Sequence, residues 1–139
     1  MSQQREEIYH KVVEIICEVT GLDGEDITMK SSCAEDIGIE SFDIVDINFR
    51  LEDVFDIVIE ENSFWSIRDI LENPDLINEN NMLTSLGILE IKNRIPNLEI
   101  PVEIEDAGEM PITEMLNFLK VENIVDFIEL SLKEKSYEQ

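Results

Sequence analysis

Basic residues are scarce in this chain: ten Lys and Arg stand against 33 Asp and Glu, for a formal net charge of −23. Binding to a nucleic-acid backbone needs Lys and Arg to displace counterions, so this balance excludes nucleic acid as a partner. An anionic membrane surface would repel the chain in the same way. The charge favours protein partners with basic patches, reached by a long-range attraction that salt weakens. Taken alone, it is equally what a merely soluble surface would show.

Other absences narrow the field further. There is one histidine, His10. It falls on an expected first helix with no sign that it approaches a serine, so a Ser-His-Asp site has no support and His10 reads as a surface or boundary residue. A Gly-rich phosphate loop, a paired-cysteine metal motif, a His-rich cluster and a calcium-hand loop are all missing. No catalytic residue and no metal site is therefore assigned. Two cysteines, Cys17 and Cys33, are too few for a disulfide framework and read as reduced thiols, Cys17 in a helix core and Cys33 in a loop. No apolar run approaches the roughly 18 residues of a membrane span. Glu6 and Glu7 stand where a signal peptide would be apolar, so a cytoplasmic location is expected.

What is present is a foldable pattern. Hydrophobic residues make up 43% of the 139 positions, and they are periodic, which places the acidity on a folded body of one domain spanning 1–139. Ile8, Val12, Ile15, Ile16 and Val19 mark a first helix from about Arg5 to Thr20, stopped by Gly21. A polar loop follows, and Leu22, Ile27, Ile37 and Ile39 are expected to pin it to the core. A second helix runs from about Ser41 to Phe55. Phe42, Val45, Phe49 and Val54, flanked by Ile44 and Leu51, form its expected apolar face, and Asp43, Asp46, Arg50 and Asp53 form a polar stripe. A last helix covers about Val121 to Lys133, burying Val121, Ile124, Val125, Ile128 and Leu132.

The segment between these helices is harder to read. Ser63 is expected to cap a short helix through Leu71, ended by Asn73-Pro74. Thr84 is expected to cap another through Arg94, ended by Ile95-Pro96. NLEIPVEIE alternates apolar and polar residues, and Pro101 within it allows at most an edge strand. Ile112 to Leu119 reads as helical. No repeat, low-complexity tract or flexible linker stands out.

The most informative residue is Ser41, where a structured loop meets an amphipathic helix. Serine there is an ordinary N-cap. A helix N-terminus also tolerates a phosphate well, because its N–H groups are free and its dipole end is positive. Gly38 permits a tight backbone path three residues earlier. Asp36 and Glu40 place carboxylates where a divalent metal could be held while a phosphoryl-bearing group is installed. Cap and attachment point both remain open on position alone.

Asp36-Ile37-Gly38-Ile39-Glu40-Ser41-Phe42 resembles the prosthetic-group site of acyl carrier proteins, Asp-Leu-Gly-x-Asp-Ser-Leu followed by an acidic helix. The resemblance extends over residues 1 to about 60 and resumes at Val121 to Lys133. It departs at Glu40, where the family has aspartate, and at Phe42, where it has leucine. It implies an all-α, acyl-carrier-protein-like four-helix bundle, with additional short helices in an inserted segment at about 61–112. It implies a non-enzymatic carrier holding acyl groups as thioesters on 4′-phosphopantetheine attached to Ser41 by a phosphopantetheinyl transferase. The partners it implies are that transferase and acyl-loading and acyl-transfer enzymes with basic patches, docking on Glu40, Asp43, Asp46 and Asp53 of a monomeric chain. A solvated helix face is the plainer account of those four residues. The inserted segment points to a specialised fatty-acid or envelope-lipid pathway, or else serves only to extend the core. The alternatives are a polyketide or peptide-synthesis carrier, and an acidic helical interaction module without a prosthetic group.

Overall fold

The computed structural model describes residues 2–137. Helix α1 (Gln3–Thr20) starts at Ser2, whose hydroxyl accepts from the Arg5 N–H, and stops at Gly21, where φ is +81°. That left-handed value is the reason glycine ends the helix there. Its apolar stripe buries Ile8, Val12, Ile15 and Ile16 between α2 (Ser41–Phe55) and α7 (Val121–Tyr137). Arg5 fastens α1 to α7 by pairing with Asp126 at 2.7 Å, and Arg50 fastens α2 to α1 by pairing with Glu18 at 2.6 Å.

The loop before α2 is pinned as expected. Ile27, Ile37 and Ile39 are buried, and Cys33 with them. Cys17 lies half-buried on α1, so the more buried thiol is the one in the loop and not the one in the helix.

The segment between α2 and α7 contains α3 (Arg68–Leu71), α4 (Ser85–Arg94), α5 (Val102–Ala107) and α6 (Met115–Phe118). It also contains a two-stranded antiparallel sheet, β1 (Met82–Leu83) pairing Met82 with Pro111 and Leu83 with Met110 of β2 (Met110–Pro111). Thr84 caps α4 as its sequence signal indicates, its hydroxyl accepting from the Gly87 N–H at 3.2 Å. Ser63 does not cap a helix. It closes a turn instead, and α3 begins only at Arg68 without a side-chain cap. The expected edge strand at NLEIPVEIE is also absent, because Pro101 leads into α5, where its fixed φ and missing N–H cost nothing.

Phe64 and Trp65 anchor the stretch that leads into α3. Both are buried, and the Phe64 ring stacks on Phe127 of α7 with centroids 4.2 Å apart. Phe64 has φ of +51°, a conformation that costs a non-glycine residue about 1–2 kcal/mol. Burying a full phenylalanine side chain contributes about 1.5–3 kcal/mol and offsets that cost. One buried apolar cluster runs from α1, α2 and α7 into Leu83, Ile88, Ile91 and Ile95.

Candidate functional site

Ser41 is placed by a loop sewn to the stretch around α6, just before α7. The Cys33 N–H donates to the Leu119 carbonyl at 2.8 Å, the Ala34 N–H to Leu116 at 3.3 Å, and the Ser32 hydroxyl to Asn117 at 2.8 Å. The Asp36 carboxylate accepts from the Ser32 N–H at 2.7 Å and so closes the same loop. Gly38 has φ of +83°, which the tight path needs.

The cap of α2 is Glu40, not Ser41. The Glu40 N–H donates to the Asp43 carboxylate at 2.9 Å, and Ser41 is the first helical residue. Among the described residues no hydrogen bond engages the Ser41 hydroxyl, which is exposed. The serine is thus released from capping by its neighbour.

The apolar face of α2 is rotated from the expected one. Ile47, Leu51 and Phe55 are buried, with Ile44 half-buried beside them, whereas Phe42, Val45 and Phe49 are 70%, 63% and 69% exposed. Both sets have helical spacing. α1 packs against the first, and the second is left as a stripe facing solvent on the helix that begins with Ser41. Asp43, Asp46 and Asp53 lie along that stripe, with Asp46 and Asp53 exposed and Asp43 half-buried. Asp46 is partly neutralised by Arg50, whose Nε lies 2.9 Å from its carboxylate. The sequence carried the spacing of Phe42, Val45 and Phe49, but burial alone shows that they face outward.

An apolar groove of about 550 Å³ opens beside Ser41. Ser41, Ile44, Val45 and Asn48 form one wall, Trp65 and Leu71 another, and Ile112 and Leu116 close it. Trp65 donates its indole N–H to Asn48, and Asn48 donates in turn to the Ser66 hydroxyl at 3.3 Å. The Asp69–Arg94 ion pair at 2.5 Å steadies the α3 side, and Arg94 also donates to the Ser66 carbonyl. Nothing in the local sequence around Ser41 announces these distant walls.

Other candidate chemistry is thin. Among the described residues no three His, Cys, Asp or Glu side chains gather to hold a metal. His10 is exposed on α1, 3.9 Å from Glu6. Burial pushes the Cys33 thiol up to about 12. Among the described residues no helix is long and apolar enough to cross a membrane.

The family described as Phosphopantetheine attachment site matches residues 10–73. The acyl carrier protein of Syntrophobacter fumaroxidans is 34% identical over 70 residues, covering 50% of this chain and 86% of that protein. The acyl carrier protein of Clostridium acetobutylicum is 42% identical over 63 residues, covering 45% of this chain and 82% of that one. The chain belongs to the acyl carrier protein family. Its cofactor is covalently attached 4′-phosphopantetheine. The local structure fits such a group: a free hydroxyl stands at the N-terminus of a 15-residue helix, where phosphate is favoured, with an apolar groove beside it. The matched stretch ends just past α3, so Ile112 and Leu116, which close the groove, lie outside the part shared with the family.

Proposed function

We propose that Ser41 carries the 4′-phosphopantetheine arm and that the chain shuttles acyl groups as thioesters in a specialised fatty-acid or envelope-lipid pathway. The observation that supports this most directly is the exposed Ser41 hydroxyl, unused as a cap and set at the mouth of the groove. A separate transferase joins Ser41 Oγ to the pantetheine-bearing phosphorus of coenzyme A. Adenosine 3′,5′-bisphosphate leaves, and the hydroxyl proton passes to the transferase. Asp36 and Glu40 flank the site where a divalent ion would accompany the incoming diphosphate, Asp36 while also holding the loop. The arm supplies the thiol chemistry once bound, and the chain supplies presentation, shielding and recognition without catalysis of its own.

Recognition falls to α2. Phe42, Val45 and Phe49 offer an apolar centre, and Glu40, Asp43, Asp46 and Asp53 offer an acidic rim for a partner with a basic patch. Residues 1–139 act as one domain, a monomer, whose insertion walls the groove in which the proximal acyl chain rests. That wall is what makes the pathway specialised. Solution NMR of the holo protein charged with acyl groups of increasing length tests the groove. Progressive shifts at Trp65, Leu71 and Leu116 are expected, and shifts confined to Ser41 would remove the insertion's role in holding cargo.

A further inference from the structure

Helix α6 is too short to hold itself. Its four residues, Met115–Phe118, are entered through a 3-10 turn at Ile112–Glu114, and neither has a side-chain cap. A helix of that length gains less from its own hydrogen bonds than its ordering costs. Its last carbonyls have no partner within the helix. The loop before Ser41 supplies the partners. Leu116 receives the Ala34 N–H, Asn117 the Ser32 hydroxyl and Leu119 the Cys33 N–H. Just beyond, the Val121 N–H donates to the Ser31 carbonyl at 3.1 Å, and the Glu122 N–H to the Met29 carbonyl at 3.0 Å.

Ser32 ties this seam together. It is buried, and each of its polar groups is engaged. Its N–H donates to the Asp36 carboxylate at 2.7 Å, and its carbonyl accepts the Asp36 and Ile37 N–H groups, both at 3.1 Å. Its hydroxyl accepts from the Glu35 N–H at 3.1 Å and donates across the seam to the Asn117 carbonyl at 2.8 Å. One side chain therefore closes the loop that leads to Ser41 and also seats α6. Ser32 itself is not a wall of the groove.

The side chains of the same stretch belong to the groove. Met115 and Leu116 line it, with Ile112 and Thr113 of the preceding turn. The loop thus holds α6 by its carbonyls, while its side chains meet whatever fills the groove. An acyl chain lying there covers Ile112 and Leu116 only while α6 is seated, so it favours the seated state. What favours a seated α6 also favours the loop bonds made to it, and by linkage the reverse holds.

We propose that Ser32 is a positioning residue for the cargo, acting through Asn117 and α6. A chain in the groove stiffens the loop before Ser41, and loss of the Ser32 hydroxyl weakens the groove's hold on the chain. This inference rests on the reading in which the groove takes the acyl chain. It makes the loop that presents Ser41 stiffer in the charged carrier than in the empty one.

The test compares the holo protein with the same protein charged with saturated acyl groups from octanoyl to palmitoyl, by amide hydrogen exchange read by NMR. In the form that shifts Trp65 and Leu71 most, the Cys33 and Ala34 amides should exchange at least about fivefold more slowly, the lower end of ordinary coupling between sites. Amides of α1, which lends no residue to the groove, should change little. Ser32→Ala should shrink the shifts that charging produces at Trp65 and Leu71. Thr20→Ala controls for a simple loss of stability, since it removes a hydroxyl that donates to the Ile16 carbonyl at 2.8 Å on α1, and it should leave the groove response intact.

Shifts at Trp65 and Leu71 without slower exchange at Cys33 and Ala34 overturn the coupling and leave the groove reading standing. Undiminished shifts in Ser32→Ala, or equal shrinkage in Thr20→Ala, overturn the positioning role. No response at Trp65 and Leu71 in the wild type removes the groove reading, and this inference with it. The exchange comparison needs only the wild type, so it decides the coupling even if Ser32→Ala fails to fold.

Discussion

The indole N–H of Trp65 donates to the side-chain carbonyl of Asn48, and this bond joins the buried Trp65 ring to the helix that begins at Ser41. Trp65→Phe keeps most of the ring and removes the donor, leaving Asn48 short of a partner at a half-buried position. Such a loss costs about 1–3 kcal/mol. Urea unfolding followed by circular dichroism should show a lower midpoint with an unchanged slope. A midpoint equal to wild type would mean that the bond does not hold the groove wall.

The orientation of α2 gives a sharp contrast between two apolar residues. Leu51 is fully buried and Phe49 is mostly exposed. Leu51→Ala should destabilise the fold by about 2–5 kcal/mol. Phe49→Ala should change stability by no more than about 0.5 kcal/mol, while slowing arm transfer by weakening docking. The opposite order in denaturant titration would restore the face that periodicity alone suggested.

Acid should loosen the α3 side of the groove in a defined window. The Arg94 guanidinium holds the Asp69 carboxyl below its ordinary value. A carboxylate whose folded value is depressed contributes stability that is fully present above its unfolded value of about 3.9 and is lost as pH falls through the lower folded value. The Asp69–Arg94 link should therefore persist through neutral and mildly acidic pH and release only below about pH 4. Carbon-detected NMR titration of the Asp69 carboxyl checks this, and a midpoint above the ordinary aspartate value would contradict it.

The two thiols should differ in reactivity. Cys33 is fully buried with its thiol pushed up to about 12, whereas Cys17 is half-buried. A colorimetric thiol reagent at mildly alkaline pH should modify Cys17 in the folded protein and reach Cys33 only after unfolding. Fast labelling of both in native conditions would show that the loop before Ser41 opens readily.

Several elements were legible in the sequence because their signals are local. Gly21, Thr84 and the pairs Ile95-Pro96 and Asn73-Pro74 act on their own neighbours, and the helices they bound end close to them. Ser41 and its flanking carboxylates belong to the same class of signal. The face of α2 was not legible, because apolar residues surround much of that helix and only packing against α1 selects Ile47, Leu51 and Phe55. The cap passed to Glu40 because Asp43 reaches back to its N–H, a preference that the sequence order Glu-Ser does not reveal. The groove joins residues some 70 positions apart in the chain, such as Ile44 and Leu116, and no short-range pattern encodes that meeting.

The central claim is that one arm is carried, at Ser41. Its most direct measurement is intact mass after incubation with coenzyme A, magnesium and a phosphopantetheinyl transferase, made on the wild type, Ser41→Ala and Ser85→Ala. The account predicts a single phosphopantetheine increment on the wild type and on Ser85→Ala, and none on Ser41→Ala. An increment that persists in Ser41→Ala, or none on the wild type with two different transferases, would contradict it.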